Sequence, residues 1–215
     1  MLETVKSKYR SLRARISEYL QTQGHSAEFI ASENKKYEFN INLEEQVIAD
    51  SINNFVPRCL KVNICSTHIE IVATALSYFQ RFYLHHQMFE HDPNLLIEAC
   101  LFLSIKIHEI PLAHQEFCKH FAIDPKRNHL AQNEQTLLRG IQYQLQIHTP
   151  ISGVSSLIYT LEDTPGVNEE MVNYIKNQAQ NFCLASYKVR EFVFCSSPAL
   201  IALAAVHKGI KDAHA

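Results

Sequence analysis

Twelve histidines in 215 residues make metal chemistry the first possibility to test. The densest group is "HEIPLAH", which offers His108, Glu109 and His114, with Cys118 and His120 close behind. A helical zinc site needs two ligands one turn apart, as in H-E-x-x-H, so that both imidazoles leave the same face. Here Pro111 interrupts any helix between the two histidines, and their spacing does not fit. His85 and His86 are adjacent and cannot share a helix face. No nucleophile elbow, glycine-rich phosphate loop or spaced carboxylate pair occurs, and five glycines leave few places for a backbone cradle. The sequence predicts no metal, no cofactor and no catalytic residue.

Two charges are nevertheless oddly placed. Leu95, Ala99, Phe102 and Lys106 fall in one helical row (i, i+4, i+7, i+11), so the lysine ends an apolar stripe. Glu134 repeats the pattern in a row with Leu138, Ile141 and Leu145. Burying either charge alone would cost several kcal/mol, on the order of a lost core contact. One reading is internal: a Lys106–Glu134 or Lys106–Glu109 salt bridge, or a lysine that snorkels to water at a helix C-terminus. The other is a charged pair set in an apolar surface, to be completed by a partner's backbone. Spacing does not choose between them.

The elements that carry these charges are helical throughout. Leu2, Val5, Tyr9, Leu12, Ile16 and Tyr19 predict an amphipathic helix over 2–20, whose other faces are basic and read as solvated. Residues 21–42 read as an irregular connection. A helix follows over 43–59, ended near Pro57. Ser66 or Thr67 is the expected cap of the next, with Glu70 completing a capping box after Thr67. That helix carries the stripe Ile69, Val72, Ala73, Leu76, Phe79 and Tyr83. Asp92 and Pro93 supply the N-cap and first position of a third helix, apolar on nearly every face from Leu95 to Ile107 and therefore central to a bundle. A short helix over 113–121, the turn "DPKRN" and a helix over 129–146 stopped by Pro150 complete five helices. "ISGVSSLIYTL", "EEMVNYIKNQAQNFCLASYK" and "SSPALIALAAVHKGIK" begin a second set. Pro198, Leu200 and Ala204 match Pro93, Leu95 and Ala99 at an offset of 105, which suggests two stacked bundles of one design, the second two helices short.

The net charge of −2 gives no general attraction to nucleic acid or acidic membranes, and no stretch is apolar enough to cross a bilayer. Neither is an expected partner. The six cysteines lack regular spacing and read as reduced core thiols of an intracellular protein.

"YFQRFYLHHQMFEHDPNLLIEACLFLSIKIHE" (78–109) and "EQTLLRGIQYQLQIHTP" (134–150) resemble the cyclins, most closely the cyclin H branch of that family. The resemblance covers roughly 43–211. It implies an all-α cyclin fold: an N-terminal helix and connection (1–42), a first cyclin box (43–149) and an incomplete second box (150–215). It also implies a partner, a cyclin-dependent kinase, bound through Lys106 and Glu134, with Glu109, Leu138 and Tyr143 lining the same kinase-facing groove. Ile107 and Tyr143 depart from the aromatic residue and the phenylalanine that many cyclins carry there. The cell-cycle docking signature has no match in "EEQVIADSINNF". The implied role is regulatory and nuclear: activation of the kinase of the CDK-activating kinase and transcription factor IIH, alongside an assembly factor. Cyclins of the C or K/T type, and a cyclin-fold general transcription factor, are the alternatives.

Overall fold

The computed structural model describes residues 14, 17–19, 21–29, 41–86, 88, 90–124, 129–162 and 168–213. Most of the expected N-terminal helix and of the turn "DPKRN" lies outside them. Within the stretch read as irregular, residues 27–29 are helical, and Ser26 Oγ accepts the Phe29 amide at 3.2 Å.

The first group of helices is α1 (Ile41–Leu60), α2 (Asn63–Thr67), α3 (Ile69–Phe82), α4 (Pro93–Ile107), α5 (His114–His120) and α6 (Leu130–Gly140). The second is α7 (Pro150–Glu162), α8 (Glu169–Ser186), α9 (Arg190–Cys195) and α10 (Pro198–Ala213). Pro57 does not end α1; it lies inside the helix, three residues before its last. Ser66 and Thr67 do not cap α3 either. They belong to α2, where their hydroxyls donate to the Asn63 carbonyl and to Asn63 Oδ1. Local hydroxyl bonds of this kind suit a short turn as well as a cap. The start of α4 is as expected: Asp92 accepts the Asn94 amide at 2.9 Å and Pro93 opens the helix.

The central helix is α3. Every residue from Ile71 to Gln80 is buried, whereas α4 turns Asn94, Lys106 and Ile107 outward. The reason is position: α3 packs on α4 and α6 in its own group and on α7 and α8 of the second. A polar seam fixes that contact. Ser77 Oγ lies 2.9 Å from the Tyr187 hydroxyl, and Gln80 Nε2 donates to the Tyr187 carbonyl. The second group is a three-helix arrangement of α7, α8 and α10. Its α10 starts on Pro198 as α4 starts on Pro93, but Leu200 and Leu203 are more than half exposed, so the offset match holds for the helix start and not for burial.

Three helices close on a left-handed residue that is not glycine. After α4, Glu109 has φ 56°, its amide bonds to the Lys106 carbonyl, and the Ile110 amide reaches back to Ile105. After α5 Ala122 has φ 52° and the Ile123 amide reaches back to the Cys118 carbonyl, and Gln142 (φ 56°) repeats both bonds of the α4 closure after α6. This is the Schellman closure, which usually takes glycine because a Cβ is strained there. A chain so poor in glycine closes its helices at some conformational cost. It also explains why α6 ends at Gly140, six residues before the sequence suggests. Pro150, read as a terminator, is the first residue of α7. All six cysteines are free, five of them buried and Cys195 exposed. Among the described residues no helix is long and apolar enough to cross a membrane.

Candidate functional site

Helices α4 and α6 pack side by side, which brings Lys106 in the last turn of α4 to Glu134 in the second turn of α6. Lys106 Nζ donates to both carboxylate oxygens, at 2.7 Å to Oε1 and 2.9 Å to Oε2. The lysine pairs with Glu134 and not with Glu109. The ammonium also sits 4.4 Å from the centroid of the Phe102 ring, one turn earlier in the same row. Carboxylate and ring face together hold the charge at the end of its apolar stripe.

The pair lies at the surface and not in the core. The Lys106 side chain keeps 47% of its exposure and Glu134 keeps 14%. An ammonium has three donors, of which Glu134 takes two, and each carboxylate oxygen still has lone-pair capacity. The arrangement can therefore accept a peptide N–H and donate to a peptide carbonyl while remaining closed. One apolar neighbour faces outward beside it, and the ring that seats it is buried. Ile107, next to the lysine, is 41% exposed, and the Phe102 ring under the ammonium packs on Phe117 with centroids 4.9 Å apart.

Of the other three residues singled out from the sequence, Leu138 lies one turn beyond Glu134, half-buried against the core. Tyr143 is 65% exposed, and its amide bonds to the Leu138 carbonyl at 2.9 Å. Glu109 is exposed at the α4 closure, three residues past Lys106. Ion pairing joins only Lys106 and Glu134. Leu138 lies one turn on from Glu134 in α6, Tyr143 follows that helix at its closure, and Glu109 follows α4.

The residues that hold this edge in place are ones the sequence reading passed over. Tyr78 donates its hydroxyl to the Leu145 carbonyl at 2.7 Å, and Arg81 Nη1 donates to the Gln144 carbonyl at 3.3 Å. Both come from α3 and pin the chain just after Tyr143. Burial pushes the Tyr78 phenol up to about 12, so it stays a donor at neutral pH. Phe102, read only as a core residue, is also the seat of the lysine. The signal available was its place in the row one turn before Lys106. The histidines of "HEIPLAH" are used locally: His108 Nε2 lies 3.1 Å from the Thr74 hydroxyl, and His114 meets the Phe102 ring edge-on. Cys118 is buried in the core.

Residues 60–146, which contain all five of these positions, match the cyclin N-terminal domain family. The chain is 30% identical over 97 residues to a probable cyclin-H of Echinococcus multilocularis, an overlap covering 43% of this chain and 28% of that protein. It is 27% identical over 145 residues to cyclin-C1-1 of Oryza sativa subsp. japonica, covering 64% and 52% respectively. A chain in the CAK complex of Chaetomium thermophilum bound to ATP-gamma-S superposes with a TM-score of 0.71 at 21% identity, over 95% of this chain and 61% of that one. The chain thus spans less than two thirds of the length of each. It has the cyclin fold, and residues 60–146 match the family of cyclin N-terminal domains.

Proposed function

We propose that this chain is a regulatory cyclin subunit of the cyclin H type, which binds a cyclin-dependent kinase and activates it by fixing the kinase's C-helix. The observation that carries the reading is the chelated Lys106–Glu134 pair, held at the rim of an apolar surface inside a cyclin N-terminal domain. Kinase activity requires a strand lysine paired with a C-helix glutamate, and C-helix position controls that pair. A subunit that binds only the inward position of the helix shifts the population toward it. Lys106 donates to backbone carbonyls next to that helix and Glu134 accepts from its amides. Ile107, Leu138 and Tyr143 supply apolar contact, and Glu109 marks the edge. The chain itself contributes no catalytic group.

The similarity to a cyclin-H and to a chain of a CAK complex supports a CDK-activating kinase, together with its assembly factor and a nuclear, transcription-linked setting. The longer overlap with a C-type cyclin favours one second reading, a cyclin C-like subunit with a different kinase. The test is co-purification with each candidate kinase, followed by phosphorylation of an RNA polymerase II C-terminal-domain peptide. The H-type reading requires the CDK-activating kinase to be retained and stimulated above the others. Retention of only a different cyclin-dependent kinase would move the assignment to the second reading.

A further inference from the structure

The turn between α3 and α4 gathers His86, Glu90 and His91, whose ligand atoms all lie within 4.8 Å of one another. Helical spacing does not reveal the set, because all three members lie on the turn and none on a helix. We propose that these three residues form a binding site for a divalent transition-metal ion, zinc by preference.

Three observations support the site beyond the proximity itself. First, the imidazoles are held and not loose. The fully buried Phe82 stacks on His86 with centroids 4.2 Å apart and meets His91 edge-on at 5.1 Å. The two imidazoles face one another at 5.6 Å with a 77° angle between their planes. Second, hydrogen bonds hold the backbone at His86 and at His91. The His86 amide bonds to the Phe82 carbonyl at 3.1 Å, and the buried Tyr83 donates its hydroxyl to the His91 carbonyl at 2.7 Å. Third, α6 makes room. A Cβ on Gly140 would stand 2.4 Å from Phe82 and 3.0 Å from His86 Nε2, so glycine there is what lets the ring pair sit against the helix.

The donor set selects the ion. Two neutral imidazole nitrogens and one carboxylate oxygen suit zinc, or cobalt, nickel and copper. Magnesium and calcium take oxygen ligands only. Tetrahedral zinc at about 2.0–2.1 Å from each ligand holds them roughly 3.3 Å apart, so the three must close by up to about 1.5 Å. The exposed Glu90 side chain can make most of that movement. Three protein ligands leave one position for water or a further residue. The bound ion would cross-link the α3–α4 turn to itself, holding the end of α3 to the start of α4. Because α4 runs about 21 Å from this turn to Lys106, it would act on the stability of the bundle and not on the charged pair.

The test uses the full chain with zinc and with cobalt as a spectroscopic substitute. The wild type is expected to take up one equivalent and to raise its Tm with zinc. With cobalt it should show visible d–d bands without thiolate charge transfer, which separates this site from the exposed Cys195. Replacing either histidine (His86→Asn, His91→Gln) should weaken binding about 10-fold or more, and metal affinity should fall as protons compete at lower pH. Glu90→Gln alters an exposed carboxylate and leaves the fold intact, so it keeps the test valid should a histidine variant fold poorly. Wild-type affinity weaker than about 100 μM, or uptake unchanged in all three variants, would overturn the proposal. A thiolate band would overturn it equally.

Discussion

The charged pair allows stability and partner binding to be separated quantitatively. With Lys106 nearly half exposed, its ion pair with Glu134 is worth about 0.2–1 kcal/mol to the fold, and the Phe102 face adds about 0.5–1 kcal/mol. Lys106→Ala should therefore cost about 1–2 kcal/mol, and Glu134→Ala about 1 kcal/mol or less, since the freed ammonium can turn to water. At a kinase interface the same truncations remove a desolvated, hydrogen-bonded charge, which typically costs about 2–5 kcal/mol, or a loss of affinity of roughly 30-fold and upward. Thermal or urea unfolding measures the first quantity, and titration of the kinase with stimulation of peptide phosphorylation measures the second. The decisive variant is the exchange Lys106→Glu with Glu134→Lys. It rebuilds an internal ion pair while presenting each charge to the wrong backbone group. Stability should recover relative to the single reversals, and kinase binding should not. Recovery of both together, or normal activation by the two alanine variants, would sink the assignment of these residues to the kinase surface.

The remaining predictions concern the frame around the pair. Ala122→Gly and Glu109→Gly both relieve a positive φ, so each should raise stability in urea unfolding by about 0.5–1 kcal/mol, but only the second, at the groove edge, should also change kinase affinity. Gly140→Ala drives a Cβ into the buried Phe82 ring, which has no free end to yield. It should lower stability by about 1–3 kcal/mol, read as a fall in Tm. Tyr187→Phe removes the hydroxyl that meets Ser77 while that serine keeps its bond to the Ala73 carbonyl. The expected loss is about 0.5–1.5 kcal/mol, with faster hydrogen exchange where α3 meets the second helical group.

How far the sequence reaches depends on how local each signal is. Asp92 and Pro93 act over two residues, and the start of α4 was legible from them alone. The end of α6 was not. Apolar spacing continues through Ile141 and Leu145, and the residues that turn the chain, Gln142 and Tyr143, carry no breaker signature. Only their positive φ, forced by the Schellman closure and pinned by Tyr78 and Arg81, ends the helix. Pro57 misleads in the opposite direction, because a proline within the last turns of α1 sacrifices one hydrogen bond and leaves the packing intact. The central place of α3 was hidden for a third reason. Its stripe describes one face, and the burial of the other faces comes from α7 and α8, which lie far along the chain. For the site, the rows that exposed Lys106 and Glu134 as anomalies were readable. Their pairing was one of several readings that spacing left open, since it depends on how α4 and α6 cross.

The two readings that spacing left open turn out not to compete. An isolated lysine on an apolar rim would have to be ordered and partly desolvated when a partner arrives, and both steps subtract from affinity. In the free chain Glu134 and the Phe102 ring already hold the ammonium, and the ammonium already orients the carboxylate. The side-chain entropy of two long residues is thus spent during folding, where the bundle's apolar burial outweighs it. A peptide carbonyl and amide then add to the unused lone pairs and the remaining N–H without breaking what is present. Under the proposed function, the internal salt bridge is the pre-organised form of the kinase-binding site. A weak contribution to stability and a strong one to recognition are both expected from the same geometry.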